Sequence, residues 1–123
     1  MLRGLRLPVD PLTAPVSGCD PGALKASAIA DTLARADMFR WLVGLGPISD
    51  DPKIDADAQK CANLEAYWDF SSQASAHQPP PTTKCYTQEG GTLAGESNLA
   101  WGAPNAAATI DQFIKDDGNA TTL

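Results

Sequence analysis

The residues best suited to chemistry lie between His77 and Gly102, a stretch that holds the only histidine of the chain together with Cys85 and Glu96. A neutral imidazole and a carboxylate are ordinary ligands of zinc, and together they can also act as an acid/base pair. The alternative interpretation is structural: His77 bonds to the backbone of a turn, and Glu96 is a solvated or capping acid. Two ligands do not hold zinc tightly, because structural zinc sites use four protein ligands and catalytic sites use three plus water.

The chain has three cysteines, and two of them, Cys61 and Cys85, flank His77. One interpretation makes a cysteine the nucleophile of a Cys–His pair. We favour the other, a disulfide between Cys61 and Cys85 that ties a helix to the region around His77. Cys61 falls on a helix face of small and aromatic residues, where a thiol is buried and unreactive rather than activated. Cys19 is then the odd cysteine, either unpaired or bonded outside this chain.

Hydrophobic periodicity and end signals predict the elements that position these residues. Three helices are expected over 20–45, 55–73 and 105–118, with a short strand over 98–101. Asp20 is the expected N-cap of the first helix, with Pro21 at its first position, and Asn105 caps the third. The third helix carries an apolar stripe that includes Ile110 and Phe113. The large aromatic residues are predicted to belong to the core: Trp41, Tyr67, Trp68, Trp101 and Phe113.

Composition limits the organisation of the chain and the classes of partner. With 123 residues, 43% of them hydrophobic, the chain is one globular domain at most. Residues 1–20 are rich in proline and predict an extended linker or tail, which leaves 21–123 for the domain. The net charge of −6 disfavours nucleic acid as a partner, because phosphates would be repelled. No apolar run is long enough for a membrane span, and no signal-peptide core is visible.

Five short motifs, in this order, resemble a known family. They are Phe39-Arg40-Trp41-Leu42-Val43-Gly44-Leu45, Asp57-Ala58-Gln59-Lys60-Cys61-Ala62, His77-Gln78-Pro79-Pro80, Cys85-Tyr86-Thr87 and Ala94-Gly95-Glu96-Ser97-Asn98-Leu99-Ala100-Trp101-Gly102. Together they are similar to the CAP superfamily of cysteine-rich secretory proteins, antigen 5 and pathogenesis-related proteins, also called SCP domains, and above all to its bacterial members. The resemblance covers about residue 24 to the end of the chain.

The resemblance implies an α+β fold, an α-β-α sandwich, present here as a truncated and mostly helical N-terminal part. It implies secretion, and a cleft of two histidines and two acidic residues that binds zinc in some members. His77 matches one histidine and Glu96 one acid, on a strand, although the insertion of Ser97 departs from the commonest motif. The second pair would follow Leu123. Relatives with cysteines at positions 61 and 85 support that disulfide.

A function follows from the same resemblance as an expectation. Members of the superfamily bind lipids or sterols, cell-wall material or other proteins, and they are not reliably enzymes. We therefore expect a non-enzymatic module that binds a ligand or a cell surface, with half of the cleft in this chain. The alternative is a metal-assisted hydrolase or peptidase that uses His77 and Glu96 and needs the missing half.

Overall fold

The computed structural model of the chain describes residues 12–14 and 18–115. These residues form two short strands and five helices: β1 (Leu12–Ala14), β2 (Ala23–Leu24), α1 (Ala26–Leu42), α2 (Pro52–Glu65), α3 (Gln73–Ala76), α4 (Gln88–Glu96) and α5 (Ala106–Lys115). The strands pair with each other in a two-stranded sheet. The prediction that the chain is mostly helical is confirmed. None of the described helices is long and apolar enough to cross a membrane.

The chain folds as two compact units. One unit contains α1 and α5, which pack against each other, and the other contains α2, α3 and α4, in which α2 packs against α4. The predicted boundary at residue 20 stays a prediction. The expected end of the third helix, at Asp116, Asp117 and Gly118, lies outside the described residues.

In the unit of α1 and α5, the core is formed by Ala36, Ile110 and Phe113, with Phe39 and Ala100 packed against them. The apolar stripe predicted for the last helix is therefore confirmed at its two buried positions. Its N-cap is confirmed as well, because the Ala108 N–H donates to Asn105 Oδ1 over 2.8 Å.

The predicted start of the first helix is wrong. Asp20 does not cap a helix: its Oδ1 accepts a hydrogen bond from the Gly22 N–H at 3.0 Å, which closes a local turn. Gly22 has a φ of 69°, outside the right-handed helical region. The chain then passes through β2 before α1 begins at Ala26, with Lys25 as an N-cap that makes no side-chain hydrogen bond.

In the other unit, α2 begins earlier and ends earlier than expected. Asp51 is its N-cap and accepts hydrogen bonds from the N–H groups of Lys53 and Ile54, and Pro52 occupies the first turn. The helix stops at Glu65, well before Gln73. Residues 73–76 instead belong to the separate short helix α3.

The segment around Glu96 also differs from its prediction. Glu96 is the last residue of α4, a helix capped by Thr87, whose side chain accepts from the Gly90 N–H. Residues 98–101 do not form a strand. A strand is stable only when its backbone groups are paired, and β1 and β2, the only strands of the described residues, pair with each other.

The aromatic residues divide between core and surface. Phe113 is buried as predicted, and Trp68 is half-buried and donates from Nε1 to the Ser75 carbonyl over 2.8 Å. The core prediction is wrong for three others, because Trp41, Trp101 and Tyr67 are 74%, 47% and 42% exposed. The Tyr67 ring instead lies under the Lys84 ammonium, which is 4.5 Å from its centroid.

Candidate functional site

His77 directly follows α3, and its ring is fixed by the last turns of α4. Its Nδ1 lies 2.6 Å from the Ala94 carbonyl oxygen. A carbonyl oxygen can only accept, so Nδ1 carries the proton and donates it. The neutral ring then has an unprotonated Nε2, which is free to accept a hydrogen bond or to bind a cation. The half-buried imidazole is thus held in one tautomer.

The structure does not join His77 and Glu96 as a pair. Glu96 is exposed at the C-terminal end of α4, only two residues after the carbonyl that binds His77. No hydrogen bond or salt bridge found in the described part of the chain connects the two side chains. The fold therefore brings α4 to His77 through its backbone, and Glu96 is left on the surface.

A carboxyl group within electrostatic reach of His77 is that of Glu65, the last residue of α2. Glu65 is only 5% exposed, and neither of its carboxyl oxygens has a hydrogen-bond partner. Burial raises the pKa of this carboxyl group, and the positive charge that His77 can carry lowers it in part. Glu65, and not Glu96, is therefore the acidic residue that interacts electrostatically with His77.

Cys61 lies one helical turn before Glu65 and is the free cysteine of the chain. It is 3% exposed, as expected from its place on the buried helix face. Burial raises the pKa of its thiol to about 11, and the charge of Glu65 acts in the same direction. The thiol stays protonated at neutral pH, and only the thiolate is an effective nucleophile. Cys61 is therefore not activated as the nucleophile of a Cys–His pair, and Cys85 is held in a disulfide.

The predicted disulfide between Cys61 and Cys85 is wrong. Cys85 instead pairs with Cys19, with an S–S distance of 2.04 Å and 5.1 Å between the Cα atoms. Cys61 lies on the buried face of α2, whereas Cys85 lies in a turn beside the chain at Gly18, whose carbonyl oxygen is 3.8 Å from Cys85 Sγ. The segment before β2, and not α2, therefore supplies the partner, and Cys19 is neither unpaired nor bonded outside this chain.

Glu65 was missed as a site residue from the sequence, although a signal was present. It shares a face of α2 with Cys61, and the residue beside it, Leu64, is fully buried. A carboxylate on a buried helix face is uncommon, because an unpaired charge is costly to remove from water. That contrast marks Glu65, whereas the family motif directed attention to Glu96.

The residues present do not by themselves fit a zinc site. His77 offers one nitrogen, but no three His, Cys, Asp or Glu side chains in the described ranges lie close enough together to hold a metal ion. An acid/base or ligand-binding role for His77 and Glu65 does not require a metal ion.

Comparisons with protein-family models, with curated proteins and with solved structures found no match.

Proposed function

We propose that this chain is part of a secreted CAP-type protein, and that it supplies one wall of a non-enzymatic site that binds a ligand at a cell surface. The motif order of the sequence and the mostly helical fold are compatible with this family. The Cys19–Cys85 disulfide supports an oxidising, extracellular environment, because such bonds are rare where thiols are kept reduced.

The hydrogen bond between His77 and the Ala94 carbonyl carries the proposal. It fixes the ring without using Nε2, so the site offers a pre-oriented acceptor. A fixed acceptor recognises a ligand that brings a hydrogen-bond donor, such as the hydroxyl group of a sterol or of a cell-wall glycan. Because the ring is already ordered, binding does not have to pay for its immobilisation.

Binding is favoured over covalent catalysis by the state of Cys61. Its thiol is buried and its pKa is raised to about 11, which leaves the site without an activated sulfur nucleophile. The remaining groups, the His77 imidazole and the Glu65 carboxyl, are suited to holding and exchanging protons.

One observation supports the alternative, a hydrolase. A buried carboxyl group with a raised pKa beside a histidine is an arrangement found in acid/base sites. A metal-assisted form of this activity would require ligands in addition to those that the described residues provide.

The test uses purified, oxidised protein with two probes: insoluble peptidoglycan, and vesicles prepared with and without sterol, for which only the retention that the sterol adds is counted. We expect one of them to retain the protein, and His77→Ala to weaken that retention at least tenfold while thermal unfolding remains cooperative. Glu96→Ala, an exposed change in the neighbouring helix, is the matched control and should bind normally. Equal binding by the His77→Ala variant would overturn the proposal. Release of soluble fragments from peptidoglycan, lost in Glu65→Gln, would establish the hydrolase instead.

A further inference from the structure

A second surface, in the unit of α1 and α5, is apolar and exposed. The segment Trp41–Ile48, here called the apolar loop, comprises the end of α1 and the residues that follow it. Its large side chains are 42–74% exposed: Trp41, Leu42, Val43, Leu45 and Ile48. Single exposed apolar residues are common, but five large ones within eight residues are typical of a surface that contacts something other than water.

The apolar loop is ordered by its own hydrogen bonds and is not a frayed helix end. Gly44 has a φ of 80°, the left-handed conformation that glycine adopts easily. The Leu45 N–H donates to the Arg40 carbonyl at 2.9 Å and the Gly44 N–H to the Trp41 carbonyl at 3.0 Å. These two bonds are those of a Schellman motif, which turns the chain at the end of α1.

Two charged side chains of α1 hold the rest of the loop. Arg40 Nε donates to the Gly46 carbonyl over 2.7 Å, and Asp37 Oδ1 accepts from the Ile48 N–H over 2.8 Å. The backbone is thus bonded at both ends, while the apolar side chains stay exposed. A loop ordered in this way loses little conformational freedom when it binds.

Charge decides which apolar partner fits. The eight residues of the apolar loop carry no charge, and the charged side chains of Asp37 and Arg40 bind its backbone. Hydrocarbon can therefore receive the loop without the burial of an unpaired charge, which would oppose insertion. Two copies of a chain with a net charge of −6 would repel each other, and an anionic bilayer would repel the chain as well. The partner that best suits the apolar loop is therefore a lipid surface without net charge.

We propose that the apolar loop inserts into the outer layer of a zwitterionic lipid bilayer. Trp41 would lie at the level of the headgroups, where the amphipathic indole ring is favoured, and Leu42 and Val43 would enter the acyl region. Such a loop acts as a peripheral anchor and does not span the bilayer. This membrane contact uses neither His77 nor Glu65, so it stands or falls independently of the proposed function.

The test is co-sedimentation with phosphatidylcholine vesicles that contain no sterol, together with quenching of tryptophan fluorescence by brominated phosphatidylcholine. We expect the protein to bind and its fluorescence to be quenched. The double variant Leu42→Asp/Val43→Asp should bind at least tenfold more weakly, and Trp41→Phe should lose most of the quenching. Ile54→Asp is the matched control, because Ile54 is 57% exposed on α2, outside the apolar loop. It should bind as the unchanged protein does.

Three outcomes would overturn the membrane proposal. The first is that the protein does not sediment with the vesicles, and the second is that Ile54→Asp weakens binding as much as the double variant. The third is a dimer, seen by sedimentation velocity, that Leu42→Asp/Val43→Asp dissociates, which would show that the apolar loop binds a second copy of the chain. His77→Ala serves as a separate control. It should leave binding to sterol-free vesicles unchanged, so the two proposals can fail independently.

Discussion

The buried carboxyl group of Glu65 lies within electrostatic reach of His77 and has no hydrogen-bond partner. Removal of this group from water disfavours its charged form and raises its pKa above the ordinary value of a glutamate. The folded state therefore holds the Glu65 proton more tightly than the unfolded state. The carboxyl contributes stability below its unfolded pKa, and this contribution is lost as the pH rises through its folded pKa.

The first prediction concerns this pH dependence. Glu65→Gln should flatten the decline in the free energy of unfolding as the pH rises above about 4.3, the ordinary pKa of a glutamate, because the amide does not ionise. The measurement is urea unfolding across this pH range, followed by circular dichroism. Glu96→Gln makes the same charge change on the surface and should leave the decline in place. An unchanged slope in Glu65→Gln would show that Glu65 is hydrated rather than buried.

The second prediction concerns the disulfide. Cys19→Ser and Cys85→Ser should each lower the free energy of unfolding by about 4 kcal/mol in the chain-entropy model, since the bond closes a loop with a sequence separation of 66. Peptide mapping of the oxidised protein should recover residues 19 and 85 in one linked fragment.

Cys61 provides the control for the disulfide. Under native conditions its buried thiol should resist alkylation, and it should react once the chain is unfolded. Cys61→Ala should leave the linked fragment intact. Recovery of Cys61 linked to Cys85 would contradict the structure and restore the pairing expected from the sequence.

The disulfide illustrates why only part of the structure could be predicted. The Asn105 cap and the buried positions of α5 follow from local spacing, and local spacing is visible in a sequence. The partner of Cys85 is set by which segment packs beside its turn, and that depends on contacts far apart in the chain. The start of α1 was missed for a local reason, because Asp20 bonds to the nearby Gly22 N–H instead of capping a helix.

The candidate site divides in the same way. His77 could be found because it is the only histidine and lies in a recognisable motif. Its tautomer could not be found, because it depends on a hydrogen bond to the Ala94 carbonyl of α4, which is distant in the sequence. The role of Glu65 depends on burial, which only the packed structure gives, and Glu96 was assigned to a strand that is in fact a helix.

The third prediction uses two glycines of α4 to test its packing on α2. A Cβ at Gly90 would lie 3.1 Å from the carbonyl carbon and oxygen of Lys60, whose backbone cannot easily move aside. Gly90→Ala should therefore lower the free energy of unfolding by about 1–3 kcal/mol, the usual result of overpacking. A Cβ at Gly95 would meet only the His77 carbonyl oxygen, at an ordinary 3.7 Å. Gly95→Ala should be neutral or stabilise the protein by up to about 1 kcal/mol, because alanine is the better helix former.

Urea unfolding of the two glycine variants gives the comparison directly. The same substitution in the same helix should destabilise the protein at position 90 and not at position 95, which removes helix propensity as the explanation. If both variants are stabilised, α4 does not approach α2 as closely as the structure has it.

The fourth prediction decides where α2 begins. The sequence suggested a start near Asp55, whereas the structure has Asp51 as the N-cap, with Oδ1 2.9 Å from the Lys53 N–H and 3.3 Å from the Ile54 N–H. Asp51→Ala leaves these donors without their side-chain partner and should lower the free energy of unfolding by about 1 kcal/mol. Asp51→Asn keeps an acceptor oxygen and should retain most of the stability. If α2 began at Asp55, residue 51 would lie outside the helix, and neither variant would change the urea midpoint.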